Sequence, residues 1–116
     1  MLFRSDVLNH NVETVPRLYR QVRLGARYER SLDILAAAKR AAPGMPVKSG
    51  MMLGLGETEG EVLDAMRDLA ECGVDILTLG QYLRPSPQHL PIVRYYEPAE
   101  FEAFRRAGYE IGRAHV

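Results

Sequence analysis

Val47-Lys48-Ser49-Gly50-Met51-Met52-Leu53-Gly54-Leu55-Gly56-Glu57-Thr58 is the stretch whose reading decides the fold. It is entered from Pro46, and Met51, Met52 and Leu53 are consecutive and apolar. Such a run suits a strand buried on both faces, spanning residues 47–53. Gly54 and Gly56 then let the chain leave strand geometry abruptly, because a residue without Cβ enters positive φ freely. Thr58 with Glu61 three residues on is a capping box, so a helix starts there. Val62, Leu63, Met66, Leu69 and Ala70 give that helix one apolar face, and Gly73 is its expected stop.

The same alternation continues on both sides. Upstream, Val7-Leu8-Asn9 reads as the end of a short buried strand, followed by a polar turn at Asn9-His10-Asn11. Pro16 suits the first turn of a short helix to about Arg20. Residues 23–27, with Gly25, form a polar connector. A helix over 31–42 carries Leu32, Leu35, Ala36 and Lys39 at helical spacing and ends at Pro43-Gly44. Downstream, residues 74–79 read as a third, largely apolar strand. Residues 80–96 form a long loop with Pro85, Pro87 and Pro91. Pro98 opens a last helix, with Phe101 and Phe104 on one face and Gly108 after it. Strand–helix alternation implies parallel strands joined by right-handed crossovers. The expected class is α/β: a partial (β/α) barrel of three βα units in one domain, residues 1–116, with residues 1–5 and 113–116 expected to be non-native.

Composition narrows the partners. The 116 residues carry 15 basic and 15 acidic side chains. A balanced chain offers no electrostatic case for nucleic acid or an anionic membrane. No apolar run approaches the roughly 18 residues of a membrane span, and the N-terminus is too short and polar for a signal peptide. Cys72 is the only cysteine, so no intrachain disulfide can form, and a reducing, cytoplasmic setting is expected.

In a parallel sheet, ligands sit at the C-terminal ends of the strands. Three segments leave those ends: Asn9-His10-Asn11-Val12-Glu13-Thr14, Gly54-Leu55-Gly56-Glu57-Thr58, and Gln81-Tyr82-Leu83-Arg84-Pro85-Ser86 after Gly80. Asn9, Asn11 and Glu13 can bind hydroxyls and amines, or can serve turn chemistry. Gly54 and Gly56 can cradle a nucleoside-like ligand, or simply permit a tight turn. A dinucleotide fingerprint is excluded, because no glycine follows Gly56 at the required spacing and Glu57, Glu59 and Glu61 would repel a pyrophosphate. Those carboxylates favour a cationic ligand such as a sulfonium. Arg84 and Arg94 can bind carboxylate or phosphate bidentately, or stand as solvated surface charges. No cysteine set suits an iron–sulfur cluster, His10, His89 and His115 lack metal-ligand spacing, and no nucleophile elbow is present. No residue is singled out as catalytic or as a metal ligand.

Long runs of the chain resemble lipoyl synthases. They are Asp6-Val7-Leu8-Asn9-His10-Asn11-Val12-Glu13-Thr14-Val15-Pro16-Arg17-Leu18-Tyr19, Lys48 through Thr58, and Leu77-Thr78-Leu79-Gly80-Gln81-Tyr82-Leu83-Arg84-Pro85-Ser86. The resemblance spans about residues 6–112 and implies the fourth to sixth units of a radical S-adenosylmethionine (β/α)6 TIM-like barrel. It implies insertion of two sulfur atoms at C6 and C8 of an octanoyl chain carried on a lipoyl domain. The implied cofactors are S-adenosyl-L-methionine, cleaved to a 5′-deoxyadenosyl radical, and two [4Fe-4S] clusters, one of them the sulfur donor. A reductant such as ferredoxin or flavodoxin is implied as well. Met52 stands at the isoleucine place of the family's Gly-x-Ile-x-Gly-x-x-Glu pattern, near adenine, and Glu57 helps order the turn. The implied cofactor-binding set is Asn9, Asn11, Glu13, Met52, Gly54, Glu57, Gln81, Tyr82 and Leu83. The family's cluster cysteines have no counterpart here, so the chain by itself is expected to be inactive. A noncatalytic half-barrel that binds a lipoyl carrier domain or a partner chain is the alternative, and another radical or aldolase-type barrel enzyme a third. Open sheet edges predict marginal stability for the isolated chain.

Overall fold

The computed structural model describes residues 7–114. Residues 1–5, Asp6 and His115 therefore lie outside the described residues, as does part of the 113–116 segment. Three strands form one parallel sheet in the order β1 (Leu8–Asn9), β2 (Val47–Leu53), β3 (Ile76–Gln81). A 3-10 turn (Pro16–Leu18), α1 (Tyr19–Val22) and α2 (Tyr28–Ala41) lie between β1 and β2. Helix α3 (Glu59–Glu71) connects β2 to β3, and α4 (Pro98–Ala114) follows the long loop.

β2 occupies the span its apolar run predicts, because as the middle strand it is hydrogen-bonded on both sides. Val47, Ser49, Met51 and Leu53 are buried beneath the helices, whereas Lys48 and Met52 on the opposite face are only half-buried. Leu35, Val62 and Leu69 complete that helix-side core and are essentially inaccessible. Each fully buried aliphatic side chain of this kind contributes about 1.5–3 kcal/mol. The other face, which points where a closed barrel has its interior, is open.

β3 departs from expectation. It begins at Ile76 rather than Val74 and alternates between exposed and half-buried residues. Gly73, at φ 90°, lets the Val74 N–H bond back to the Leu69 carbonyl, so these residues close α3. The alternation arises because helices cover only one face of β3, and because among the described residues it is an edge strand.

Helix α3 begins with the full capping box: Thr58 Oγ1 accepts from the Glu61 N–H, and Glu61 accepts from the Thr58 N–H. Helix α2 starts three residues before the predicted position. Tyr28 is buried there, edge-on to Tyr19 at 5.7 Å, and its hydroxyl donates to Asp68 at 2.8 Å. The predicted short helix runs two residues past Arg20, as the 3-10 turn followed by α1.

Helix α4 corrects another expectation, since it runs through Gly108 rather than stopping before it. A Cβ on Gly108 would lie 3.0 Å from Met66 Cε. The glycine is therefore a close-approach point between α4 and α3, not a helix stop. Among the described residues, no helix is long and apolar enough to cross a membrane.

Candidate functional site

The first loop begins with a bulge, not the polar turn that the sequence suggests. Leu8 N–H bonds to Pro46 O and His10 N–H to Lys48 O, but Glu13 N–H, not Val12 N–H, takes Gly50 O. One extra residue is thus inserted opposite β2, and the chain runs on beside β2 to Glu13, whose carbonyl accepts from Met52 N–H at 2.8 Å. The displaced Val12 N–H is satisfied by Ser49 Oγ at 3.2 Å. The Val12 carbonyl accepts from Thr14 N–H and from the Tyr19 hydroxyl. Glu13 sits in the middle of this i to i+2 bond with φ 73° and is the described non-glycine residue with positive φ. Such a γ-turn costs about 1–3 kcal/mol and persists only where surroundings enforce it.

The enforcing network lies behind the bulge. Arg23 donates to the Asn11 carbonyl, the Tyr19 hydroxyl and Ser31 Oγ, and Ser31 Oγ lies 3.2 Å from His10 Nε2. Burial, then the nearby Arg23 guanidinium, depress the His10 pKa, which favours the uncharged ring. A neutral imidazole is the form this cation-flanked niche accommodates.

At the front, the bulge brings Asn11 and Glu13 to a cavity of about 230 Å³ at the open face. Met52 from β2 and Thr78 and Gly80 from β3 line it as well. Gly50 forms part of its floor because Asn11 and Thr78 crowd in from both sides: a Cβ there would lie 2.9 Å from Asn11 Oδ1 and 3.0 Å from Thr78 Oγ1. The result is a thioether and bare backbone below, amide and hydroxyl groups beside, and one carboxylate. That combination accepts hydroxyls and ammonium or sulfonium groups and has no cation to bind phosphate.

Of the nine sequence-selected residues, the cavity gathers Asn11, Glu13 and Met52. Asn9, paired in register with Lys48, is exposed at the end of β1. Gly54 and Glu57 build the adjoining turn. Gly54 and Gly56 have φ 110° and 113°, so both need glycine for backbone reasons. The space over Gly54 is already filled, because a Cβ would meet Gln81 Nε2 at 2.5 Å and Arg94 O at 2.7 Å. Glu57, 7% exposed, turns its carboxylate inward to accept from Gly54 N–H and Leu55 N–H at 3.0 Å and from the Tyr96 hydroxyl at 2.6 Å. Gln81 is spent on the loop, donating to Arg94 O and accepting from Tyr96 N–H. Tyr82 is buried with its hydroxyl on Leu90 O, and Leu83 is 65% exposed.

Sequence reasoning missed three residues that hold this geometry. Arg17 reaches across from the first loop, forks onto Glu61 at 2.8 and 2.9 Å, and donates to Gly56 O at 2.8 Å. That hydrogen bond is the chief cause of a Glu61 pKa pulled down to about 2. Tyr96 returns from the far end of the long loop to Glu57, and burial followed by that hydrogen bond push its phenol well above the ordinary value. Ser49 was legible only as a polar interruption of an apolar strand. Arg84 and Arg94, considered as anion binders, are engaged otherwise. Arg84 donates to His89 O and Pro87 O, while Arg94 pairs with Glu100 and lies over the Tyr96 ring at 3.9 Å.

A larger cavity of about 850 Å³ lies on the helix side, between β3, α3 and α4, lined by Met66, Leu69, Leu77, Phe101 and Phe104. Asp75, Tyr96, Glu102, Arg105 and Tyr109 also border it, but none of the nine sequence-selected residues does, so we place the site at the smaller cavity. Among the described residues no three His, Cys, Asp or Glu side chains converge as a metal site. Cys72 caps the C-terminal end of α3, half-buried, with its thiol pKa raised mainly by burial.

Comparison with known proteins agrees with this architecture. The profile of the Radical SAM superfamily matches residues 3–80. The chain is 58% identical over 113 residues to a lipoyl synthase of Rubrobacter xylanophilus, covering 97% of this chain and 35% of that protein. It is 60% identical over 111 residues to a lipoyl synthase of Syntrophotalea carbinolica, covering 96% and 36%. A lipoyl synthase of Methylococcus capsulatus is 59% identical over 111 residues, covering 96% and 34%. The chain thus spans about a third of the length of these relatives. The profile match covers more than half of the residues and leads to one assignment: the chain belongs to the radical SAM superfamily.

Proposed function

We propose that this chain forms part of the S-adenosylmethionine-facing wall of a lipoyl synthase, the enzyme that inserts two sulfur atoms at C6 and C8 of a protein-bound octanoyl chain. The observation that carries the reading is the convergence of Asn11, Glu13 and Met52 with Thr78 and Gly80 on one cavity at the strand C-terminal ends. S-adenosylmethionine presents a sulfonium, an ammonium and ribose hydroxyls, and the lining groups suit all three. In this reading the Glu13 carboxylate faces the cationic part and the Asn11 amide a hydroxyl or amine. Met52 lies against the adenine, and Glu57 holds the turn beside it without touching ligand. The bound cofactor supplies the hydrogen-abstracting radical; the residues of this chain bind and orient it.

The iron–sulfur clusters of such an enzyme do not fit the residues here, since one cysteine cannot ligate a four-iron cluster. No step is assigned to them on this chain. The octanoylated lipoyl carrier domain as substrate, a ferredoxin- or flavodoxin-type reductant and a cytoplasmic setting belong to the same reading.

A chimera tests it. Residues 7–112 replace the aligned stretch of the Methylococcus capsulatus protein, and lipoylation of an octanoyl carrier domain is followed by mass spectrometry. Restored double sulfur insertion is expected. A chimera that assembles its clusters yet leaves the octanoyl chain unchanged would count against the proposal. If the isolated chain then bound the carrier domain saturably in a calorimeter, the noncatalytic module would take its place.

A further inference from the structure

Ser49 is the polar member of an otherwise apolar row. Val47, Ser49, Met51 and Leu53 point from β2 into the helix-side core, and Ser49 is fully inaccessible. A hydroxyl in such a place costs stability unless it is hydrogen-bonded. Its partner is the Val12 N–H, at 3.2 Å. Core packing therefore gives no reason for a serine here, whereas the bulge does.

Two registers compete after His10. His10 N–H bonds to Lys48 O, and regular parallel pairing would next put Val12 N–H on Gly50 O and Thr14 N–H on Met52 O. Gly50 O instead accepts from Glu13 N–H, and Met52 N–H returns to Glu13 O. The regular register needs neither a positive φ at Glu13 nor a new acceptor for Val12 N–H. The bulged register needs both, and without Ser49 Oγ it would bury that N–H unpaired. Ser49 thus tips the balance toward the register that brings Glu13 to the cavity wall. Its own side chain lies on the other face of β2 and takes no part in the cavity lining.

We propose that Ser49 is a positioning residue for the cavity: it holds the bulge, and through the bulge the Glu13 carboxylate, without touching ligand. This rests on the S-adenosylmethionine reading of the cavity and adds to it a control exerted from the opposite side of the sheet.

Three forms of the 116-residue chain are compared by NMR: unmodified, Ser49→Ala and Val47→Ala. Val47 is buried in the same row and has no polar side chain, so its truncation weakens the core without touching the bulge. The first readout is the NOE between the amide and α protons of Glu13, which is strong only at positive φ. The second is the affinity for S-adenosyl-L-methionine, from saturable amide shifts at residues 11–13. Ser49→Ala is expected to lose the strong Glu13 NOE and to bind at least tenfold more weakly, while Val47→Ala keeps both. A strong NOE retained in Ser49→Ala overturns the proposal, because the bulge then stands without the hydroxyl. So does an NOE lost at unchanged affinity, or an equal loss in Val47→Ala; each leaves the cavity reading standing. No saturable shifts in the unmodified chain overturn both. Should Ser49→Ala not fold, Ser49→Cys, with a similar shape and a weaker acceptor, carries the same comparison.

Discussion

The Tyr96 hydroxyl donates to Glu57 Oε2 at 2.6 Å, joining residues 39 positions apart in sequence. Glu57 reads as one of several acidic residues at a helix start, yet it is buried and anchors two elements. Its carboxylate collects the Gly54 and Leu55 N–H groups on one side and the end of the long loop on the other. The Val93 N–H on Gly54 O at 2.8 Å closes the same seam.

Tyr96→Phe tests that seam with little change in packing, since the ring still lies against Phe101 and Phe104. It removes a hydrogen bond to a charged, buried group, for which a loss of about 1.5–3 kcal/mol is expected. Urea unfolding followed by circular dichroism measures it, and a change under a few tenths of a kcal/mol would contradict the assigned role.

Gly54→Ala and Gly56→Ala separate conformation from crowding. Both force alanine into positive φ, at about 1–2 kcal/mol. Only at position 54 does the new Cβ also strike Gln81 and backbone, whereas at 56 the nearest atom is Val93 Cγ2 at 3.7 Å. Gly54→Ala should therefore be the more damaging by at least about 1 kcal/mol. Equal losses in parallel denaturation curves would refute the crowding argument.

Gly108 provides a test of the α4 correction. Within a helix, Gly108→Ala gains about 1 kcal/mol of propensity, and the Met66 methyl 3.0 Å away is the movable end of a flexible chain. A neutral to slightly stabilising effect is expected, whereas Gly108→Leu overfills the α3–α4 contact and costs about 1–3 kcal/mol. Thermal melts of the two variants decide. A marked loss with alanine would instead mark the position as a left-handed helix stop.

Acid should weaken the Arg17–Glu61 fork in a defined window. The folded Glu61 pKa, about 2, lies below its ordinary 4.5. A depressed acid stabilises the fold above its unfolded pKa and loses that contribution as pH falls through the folded value. The difference in urea midpoint between the native chain and Glu61→Gln should hold steady from pH 7 to about 5 and close between about 4.5 and 2. A difference independent of pH across that window would rule out the ionic contribution.

Sequence reading succeeded where local chemistry decides the outcome. The span of β2 follows from its entry after Pro46 and the consecutive Met51, Met52 and Leu53 before Gly54, and the start of α3 from Thr58 and Glu61, whose bonding needs nothing distant. It failed where a partner far along the chain decides. Gly108 resembles a helix stop until Met66 is known to face it. The Asn11 and Glu13 pair was visible as an unusual choice of residues after a strand. The bulge that aims them was not, because it depends on Ser49 replacing a backbone partner 37 residues away. Arg17 carried no local signal at all.

Glu13 holds a left-handed backbone that glycine or asparagine would adopt with less strain. Two laboratory evolution campaigns on this scaffold should therefore part company at that codon. Screening survivors of heat challenge enriches Glu13→Gly or Glu13→Asn, whereas, on the proposed function, screening for S-adenosylmethionine binding keeps the original acid and its torsional burden.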